Sequence, residues 1–566
     1  MLFSYLTHRH TCAAKQQSRA DSIAALPGRY HEPLNSSDAE ILNAPVALTA
    51  SNIRSGGTTP LAVLTAFTKR ALWAHGRTNC LTEILIPSAE ASLSSSSINL
   101  SGALAGVPVS LKDTVNVVGY HSCIGYSSFA TPAHKAKNDA VIVSFLRQRL
   151  GAVPFMKTNV PITLLSFEST NDVWGRTDNP WVPGFSPGGS TGGEAALLAL
   201  GGSRIGVGTD VAGSVRVPAA WSGIYALRCS TGRFPRAGCT TSMAGQEGVM
   251  AVYSPMAKTL PDLQYFMKSI VDAKPWEVDW SVHPLPWREE EAQLPEKVRW
   301  GVLRDDGVVP PTPAVERALN EAIEALRARG DEVVELQGHP SCYTSLRLAA
   351  RLLNSDAGTT YTSFFASFFE RNDPGVAVIN RIFSLPRWVK RLWAFFLRLS
   401  GDAITAGLVE DLHPRTVAQQ WALVAEREQI RGEWFHYLQT QKVDFIITPP
   451  HPTPAVPAGG MRDSVAACGY TFLWNLLDYT AGVLPVGRVD PALDKVQHGG
   501  RKLQNGVAKR CWRLYDAASM KGLPVAVQVV APGRLREEMV LAGMKRVEEA
   551  LSKVGRGWEV DAVEIE

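Results

Sequence analysis

A dense cluster of glycines between residues 184 and 213 constrains the fold more than any other feature of the sequence. The chain of 566 residues contains 47 glycines, and ten of them fall in this stretch, where an average share would give about two or three. Glycine permits positive φ angles and the close approach of another backbone or a ligand. The stretch also contains Ser190 and Ser214, each beside glycine. This composition predicts tight turns around a ligand-binding cleft.

Short apolar segments alternate with helical patterns on both sides of this cluster. A predicted buried strand over 105–111 ends at Lys112, at the strand end where open α/β sheets bind ligands. The sequence predicts further strands over 153–157, 205–208, 298–303, 332–336, 445–448 and 525–530, and helices over 139–150, from 313 to 329 and over 537–554. The alternation predicts an α/β fold with one large α/β/α domain and helices on both faces of a central β-sheet.

The ends of the chain and its composition limit the domain organisation. We predict a poorly ordered leader over 1–44 and one domain over 45–555, with a helical insertion rich in aromatic and basic residues at about 340–415. Residues 1–20 carry Arg9, Lys15 and Arg19 but no acid, which leaves mitochondrial import as an alternative to the cytoplasmic location that we predict. No apolar run approaches the ~18 residues that span a bilayer. The eight cysteines lie far apart, which is typical of reduced thiols.

Charge and motif spacing exclude several classes of ligand. The 57 basic and 53 acidic residues give a net charge of +4, spread along the chain apart from a local basic segment near 381–398, so we predict no nucleic-acid partner. Residues 184–191 outline a phosphate-binding loop, but Ser190 stands where the essential Lys would be. No cysteine and histidine spacing forms a metal site. We therefore predict no metal and no cofactor.

Ser190 has two interpretations from local sequence. Thr191 and Glu194 predict a capping box, which places Ser190 just before a helix N-terminus, where developing negative charge is stabilised. The segment 188–192 also satisfies the nucleophile-elbow pattern, so an α/β-hydrolase-type esterase using Ser190, a carboxylate and a histidine such as His498 stays open. That alternative leaves Lys112 and Ser214 unexplained.

Several motifs together resemble the amidase signature family, closest to its fungal acetamidase and fatty acid amide hydrolase-like branch. They are GVPVSLKD (106–113), KTNVP (157–161), SPGGSTGGEA (186–195), GTDVAGSVRVPA (208–219) and NLLDY (475–479). The resemblance implies the amidase signature fold with a mixed central sheet. It also implies hydrolysis of the carboxamide C–N bond of a small-molecule substrate, giving a carboxylate and ammonia or an amine.

The resemblance assigns roles by motif position. Ser214 is the expected acyl-enzyme nucleophile, Ser190 the relay serine on a cis peptide bond, and Lys112 the terminal base. Such a base must be neutral, which burial of the amine favours. The expected oxyanion donors are the backbone N–H groups of Val211, Ala212, Gly213 and Ser214; Leu164 and Leu165 are acyl-pocket or core residues; Thr191, Asp210 and Arg216 are supporting residues. Ala212 replaces the family's usual glycine, so a catalytically degenerate binding subunit also stays open.

A basic aromatic segment, residues 364–399, lies within the predicted insertion. On a helix that starts after Pro386, the cations Arg387, Lys390, Arg391 and Arg398 lie on one side, and Trp388, Leu392, Phe395 and Leu399 lie on another. Such a helix is either a cap whose aromatic face packs on the enzyme, or a peripheral contact with an anionic membrane or an intracellular partner. A homodimer is a further open prediction.

Overall fold

The fold is built on an 11-stranded sheet and a separate two-stranded ribbon. The structure is a computed structural model that describes residues 2–95, 97–496 and 502–565. The strands are β1 (Leu81–Ile84), β2 (Pro108–Lys112), β3 (Val153–Thr158), β4 (Thr170–Asn171), β5 (Gly175–Arg176), β6 (Ile205–Asp210), β7 (Tyr225–Arg228), β8 (Val252–Ala257), β9 (Arg299–Val302), β10 (Glu332–Glu335), β11 (Phe445–Thr448), β12 (Ala481–Arg488) and β13 (Pro524–Val530).

Helices connect and cover these strands. They are α1 (Leu2–Ala24), α2 (Ser36–Asn43), α3 (Val46–Arg54), α4 (Pro60–Thr78), α5 (Ile86–Ser94), α6 (Val141–Phe145), α7 (Gly192–Ala199), α8 (Arg216–Ser222), α9 (Leu260–Asp272), α10 (Pro313–Arg329), α11 (Cys342–Leu353), α12 (Thr359–Thr362), α13 (Pro374–Ser384), α14 (Arg387–Leu399), α15 (Ala403–Asp411), α16 (Val417–Gln441), α17 (Met461–Ser464), α18 (Gly469–Leu477), α19 (Gly506–Trp512) and α20 (Glu537–Lys553).

The sheet is mixed, as the family resemblance implies. Its strand order is β1-β3-β2-β6-β8-β7-β12-β13-β11-β9-β10. The pairs β2 with β3, β2 with β6, β9 with β10 and β9 with β11 are parallel, whereas β8, β7, β12 and β13 pair antiparallel with their neighbours. The α/β prediction is therefore confirmed.

Helices cover both faces of the sheet, which the middle strands make clear. Gln528 of β13 accepts a hydrogen bond from Arg216 of α8. The next residue, Val529, pairs with Gly482 of β12, and the space above Gly482 is filled by Met544 of α20. Successive strand residues point to opposite faces. Thus α8 and α20 lie on opposite sides of the sheet.

The parallel strands β2 and β6 bring two predicted site segments to one edge. Leu111 of β2 pairs with Val207 of β6, so both strands end at the same side of the sheet. Lys112 is the last residue of β2, and the turn from Val211 to Ser214 directly follows β6. The topology therefore places Lys112 and Ser214 at a common edge.

The first 44 residues differ from the expected disordered leader. Residues 2–24 form α1 and residues 36–43 form α2. His8 of α1 is buried, with its ring 2.8 Å from Ser127 Oγ and 3.1 Å from Asp172 Oδ2. Lys15 forms a buried ion pair with Glu83 at 2.6 Å. The prediction of a poorly ordered segment is wrong here, because polar α1 residues find buried partners that local composition does not reveal.

The segment predicted as an insertion forms α11 to α15 between β10 and β11, and α14 has an exposed aromatic face. Trp388 is 69% exposed and Leu399 is 68% exposed, so the interpretation that this face packs on the enzyme is wrong. Lys390 is instead buried and donates a hydrogen bond to the carbonyl of Leu412 at 2.5 Å. Within the described residues, we find no helix whose length and apolar character would let it cross a membrane.

Candidate active site

Lys112 lies in a fully buried pocket of hydroxyl groups. Its Nζ is 2.8 Å from Ser190 Oγ, 2.9 Å from Thr191 Oγ1 and 2.6 Å from Thr209 Oγ1. The three oxygens satisfy the three hydrogens of an ammonium group. A neutral amine can donate to two of them and accept from the third. The pocket therefore accommodates both protonation states of Lys112.

Burial makes the neutral state of Lys112 accessible near neutral pH. Loss of hydration lowers its pKa from 10.5 to about 7, against the charges of Asp210 and Glu194, which act to raise it. An amine with this pKa can accept a proton under physiological conditions, which an ordinary lysine does rarely. Burial therefore favours the neutral form that a lysine base would need.

Ser190 lies directly before α7, but the local structure there is not a capping box. The Gly189–Ser190 peptide bond is cis, as the resemblance implies. Thr191 occupies the N-cap position without a side-chain capping bond, and its hydroxyl donates to the carbonyl of Thr209 at 3.3 Å. Glu194 turns toward β2 and β3 instead. The capping-box prediction is wrong because both side chains have partners from distant strands.

The turn that carries Ser214 is held by a carboxylate and a close helix. The N–H of Gly213 donates to Asp210 Oδ1 at 2.8 Å, so the expected oxyanion role is corrected for Gly213. Its φ of 127° and the close side chain of Thr471 require glycine at this position. Ala212 is absent from the residues with positive φ that the structure describes. The expected cost of replacing glycine with Ala212 is therefore not incurred.

The other three expected oxyanion donors lie on the same turn as Gly213. Among the described residues, no hydrogen bond from the backbone N–H of Val211, Ala212 or Ser214 is found. The carbonyl of Ser214 accepts from the N–H of Thr191 at 3.2 Å, and the carbonyl of Ala212 accepts from Thr471 Oγ1 at 2.6 Å. These contacts fix the turn from its carbonyl side. Within the described part of the chain, these three N–H groups therefore have no protein acceptor.

Asp210 and Arg216 form the buried support behind this turn. Arg216 Nη2 lies 2.9 Å from Asp210 Oδ1, and both side chains are fully buried. Burial alone would raise the pKa of Asp210, but the charge of Arg216 and its hydrogen bonds outweigh burial and lower that pKa. Arg216 also donates to Asn475 and Gln528. This network fixes the turn before Ser214, and the supporting role of both residues in catalysis stays a prediction.

An apolar cavity of about 440 Å³ opens onto Ser214. Leu164 and Leu165 contribute to its wall, which also includes Ile379 of α13, Trp393 of α14 and Leu408 of α15. A smaller cavity of about 80 Å³ is lined by both Ser190 and Ser214, and the two leucines line it as well. Leu164 and Leu165 are therefore wall residues beside the serines and not plain core.

Histidine takes no part in the described site. Among residues 2–95, 97–496 and 502–565, no histidine makes a hydrogen bond to Ser190 or Ser214. His498, which the esterase alternative would use, lies outside the described residues. Lys112 instead occupies the position next to Ser190.

Sequence reasoning missed several polar residues of the site. Thr209 contacts Lys112, and the charge of Glu194 acts on the pKa of Lys112. Thr471 contacts the turn before Ser214, and Asn475 and Gln528 accept hydrogen bonds from Arg216. Thr209, Glu194 and Asn475 lie within motifs already noted, so their motif position was an available signal. Thr471 and Gln528 carry no local signal, because their role depends on α18 and β13 meeting the turn.

Comparison with known proteins gives a consistent identification. The family model described as Amidase matches residues 62–541. Fatty-acid amide hydrolase 1 of Sus scrofa is 34% identical over 95% of this chain and 91% of its own length. Acetamidase of Emericella nidulans is 32% identical over 94% of each chain. A solved structure of fatty acid amide hydrolase superposes with a TM-score of 0.81 at 28% identity, covering 96% of this chain and 94% of that one. The chain belongs to the amidase signature family of amide hydrolases.

Proposed function

We propose that this enzyme hydrolyses apolar carboxamides through an acyl-enzyme intermediate, with Ser214 as nucleophile, Ser190 as proton relay and Lys112 as base. The observation that carries the proposal is the 2.8 Å contact between the buried Lys112 Nζ and Ser190 Oγ at the edge of the cavity that reaches Ser214. A serine hydroxyl is a weak nucleophile until a neighbouring group accepts its proton.

The proton path follows from the hydroxyl pocket. As Ser214 Oγ attacks the carbonyl carbon, its proton passes to Ser190 Oγ, while the Ser190 proton passes to Lys112 Nζ. The reverse transfer protonates the substrate nitrogen, so the C–N bond breaks and ammonia or an amine leaves. Water then attacks the Ser214 ester through the same relay, which releases the carboxylate and restores the serine.

The turn supplies charge stabilisation for the tetrahedral intermediate. The backbone N–H groups of Val211, Ala212 and Ser214 are the donors that we assign to the oxyanion, and Gly213 is left out because Asp210 uses its N–H. Each essential donor in such a site is worth about 3–4 kcal/mol. Thr471 and Asp210 hold these donors in place before the substrate arrives.

The cavity wall favours an apolar acyl or aryl group over acetamide. Its volume of about 440 Å³ lies in the range of ~300–1,000 Å³ that is usual for small-molecule sites. Each methylene that leaves water contributes about 0.8 kcal/mol, or about fourfold in kcat/KM. We expect kcat/KM of linear primary amides to rise from acetamide along the series until the chain fills the cavity. A flat series would contradict the apolar preference.

A serine-reactive fluorophosphonate distinguishes this proposal from its alternatives. Trypsin cleavage after Arg176, Arg204 and Arg216 places Ser190 on peptide 177–204 and Ser214 on peptide 205–216. We expect the label on 205–216. A label on 177–204 would support the esterase that uses Ser190, and an unlabelled, folded protein without amidase activity would support the degenerate subunit.

Mutagenesis provides the second test. Ser214→Ala, Ser190→Ala and Lys112→Ala are each expected to abolish most turnover, and double variants should lose little more because one relay is broken once. No single His→Ala substitution is expected to do so in a folded protein. A histidine variant that folds but loses all activity would overturn the assigned relay.

We further propose that α14 docks peripherally on an anionic membrane. Its exposed apolar residues are Trp388, Leu392, Trp393, Phe395, Phe396 and Leu399. Arg387 and Arg391 lie on the same helix, whereas Arg398 is ion-paired with Glu410. Each cation near an anionic surface contributes about 1 kcal/mol. Trp393 also lines the cavity, so docking would place the cavity wall next to the membrane, into which apolar amides partition.

Flotation with vesicles of neutral or anionic phospholipid tests this docking. We expect salt-sensitive flotation with anionic vesicles that is reduced by Arg387→Glu with Arg391→Glu, and by Trp388→Ser with Phe395→Ser. Trp280→Ser is the matched control, because Trp280 is 84% exposed outside α14. Flotation that all variants retain, or that the folded enzyme never shows, would overturn the proposal.

The cytoplasmic location and the homodimer stay predictions. Cell fractionation checks the location, and light scattering checks the oligomeric state.

A further inference from the structure

Glu194 is a buried carboxyl group that the reaction scheme above does not use. It lies on α7 four residues after Ser190, and its side chain is fully buried. One carboxyl oxygen accepts a hydrogen bond from Ser110, and the other accepts from Thr158 Oγ1 at 2.8 Å. Buried carboxyl groups are costly unless they are partnered. The position of this one therefore requires an explanation.

The partners of Glu194 flank Lys112 on the sheet. Ser110 precedes Lys112 by two residues on β2, so both side chains point to the same face. Thr158 is the register partner of Lys112 on β3. Gly206, the register partner of Ser110 on β6, leaves the space that Glu194 occupies, since a Cβ there would overlap its carboxyl oxygen. Three strands thus hold this carboxyl beside the base.

We propose that Glu194 is a positioning residue that supplies a counter-charge for the ammonium form of Lys112, so that the charge state of each group favours that of the other. This inference rests on the proposed role of Lys112 as the base. When Lys112 accepts the proton from Ser190, an ionised Glu194 stabilises the resulting ammonium. When Glu194 is protonated, Lys112 is neutral and ready to accept. Glu194 touches neither substrate nor reacting atoms and acts through Lys112.

The charges of both groups are consistent with such a pair. Burial raises the pKa of Glu194 to about 7, against hydrogen bonds from Ser110 and Thr158 and the charge of Lys112. Lys112 is the one opposite charge that acts on this pKa among the described residues. The charge of Glu194 in turn acts to raise the pKa of Lys112, so the protonation of each group depends on that of the other.

The neighbouring charged groups have other partners or are neutral. Around α7, Lys157 of β3 is ion-paired with Asp113, and Asp210 of β6 is ion-paired with Arg216 of α8. Lys69 of α4 is ion-paired with Asp38, and Arg70 of α4 donates to the carbonyl of Leu200. Burial raises the pKa of Cys80, which lies directly before β1, to about 12, so this thiol is neutral. Asp210 also acts to raise the pKa of Lys112, but its carboxylate is bound to Arg216, whereas Lys112 is the opposite charge that acts on the pKa of Glu194.

The pH profile of kcat/KM tests the pair. In the wild-type enzyme we expect a rising limb near pH 7 that Lys112→Met removes. Glu194→Gln keeps the size of the side chain but removes its charge, so the limb should move to lower pH by about one unit, and kcat at high pH should fall by up to about tenfold. Glu548→Gln is the control. Glu548 lies on α20, its carboxyl is also largely buried, its pKa is also raised, and it accepts a hydrogen bond from Tyr225 of β7. We expect that control to leave the limb in place.

A second variant covers the case in which Glu194→Gln does not fold. Ser110→Ala removes a hydrogen bond that lowers the pKa of Glu194, so Glu194 stays protonated to higher pH and the limb should again move to lower pH, by less. An unmoved limb in the folded variants, or movement to higher pH, would overturn the role of Glu194. A wild-type limb that survives Lys112→Met would overturn the proposed base instead.

Discussion

Two fully buried lysines at the ends of neighbouring strands have opposite surroundings. Lys157 of β3 forms an ion pair with Asp113 at 3.3 Å and donates to the carbonyl of His121 and to Ser122 Oγ. Lys112 of β2 contacts three hydroxyl groups and no carboxylate. Burial is the same in both cases. A directly paired carboxylate therefore separates a structural lysine from one that can act as a base.

The strand register explains how two such sites fit at one edge. Lys157 pairs with Leu111 and Lys112 pairs with Thr158, so the two lysines are one step apart and point to opposite faces of the sheet. One face meets α7 and Ser190, and the other meets the loop that contains Asp113 and Ser122. The sheet thus separates Lys112 from Asp113, the carboxylate that pairs with Lys157.

Removing the amine of Lys112 should give the largest effect on activity. Lys112→Met is expected to lower kcat/KM by about 10³-fold or more, because general base catalysis typically contributes 10²–10⁴-fold. Its stability should be unchanged or higher, since a poorly hydrated amine is replaced by an apolar chain. Steady-state kinetics and thermal unfolding measure the two effects. A variant that stays active would show that the hydroxyl pocket does not contain the base.

The same substitution at Lys157 should act on stability. Lys157→Met leaves Asp113 buried without its ion-pair partner, so we expect a loss of about 3–5 kcal/mol in the free energy of unfolding. Urea denaturation measures this loss. Adding Asp113→Asn should recover part of it, because the unpaired charge is then removed. Unchanged stability in Lys157→Met would remove the distinction between the two lysines.

The activity should depend on pH through Lys112. The neutral amine is the active form, so below its pKa of about 7 the value of kcat/KM should fall by about tenfold per pH unit, and above it a plateau is expected. Profiles from pH 5 to 9 on the wild type and on Lys157→Arg measure this. We expect both proteins to show the same rise of kcat/KM with pH. If Lys157→Arg displaces that rise, the titrating group is Lys157 and not Lys112.

The smallest effect is expected from single hydroxyl groups. Thr209→Val removes one hydrogen-bond acceptor of the Lys112 amine. The amine is then held less well in line with Ser190, so kcat should fall about tenfold. Thr209→Ser keeps the hydroxyl and should retain most activity. Ser122→Ala makes the matched change beside Lys157, where Asp113 still holds the amine, and kcat should be unchanged. Equal losses in Thr209→Val and Ser122→Ala would contradict a specific role for the pocket.

The sequence was most informative where the chemistry follows from local motifs. The roles that we propose for Lys112, Ser190 and Ser214 come from motif order, and the strands before Lys112 and Ser214 followed from apolar runs bounded by turn residues. The partners of Glu194 and of the Gly213 N–H were mispredicted. Glu194 binds a residue 84 positions away, and the hydrogen bond from Gly213 to Asp210 depends on the exact fold of the turn. Neither is encoded in spacing.

The surface of the insertion shows the same limit. The boundaries of α14 and its two faces follow from the positions of Pro386 and the arginines. Whether the aromatic face meets the protein depends on which helices lie opposite it, and the packing of α14 against α15 leaves Trp388 and Phe395 outside. The contacts of α1 with Ser127 and Glu83 were equally hidden, because each joins residues far apart in the chain.

The origin of the cavity wall has a consequence for how this enzyme can evolve. Much of the wall comes from α11, α13, α14 and α15, a continuous stretch between β10 and β11, whereas Lys112, Ser190 and Ser214 all precede residue 215. Inherited changes in that stretch can alter which amide is accepted while the residues that we propose for bond cleavage stay unchanged. Much of the cavity wall is thus encoded apart from the proposed catalytic residues, although Leu164 and Leu165 also belong to the wall. Exchanging residues 342–411 between relatives is therefore a direct route to enzymes with new preferences.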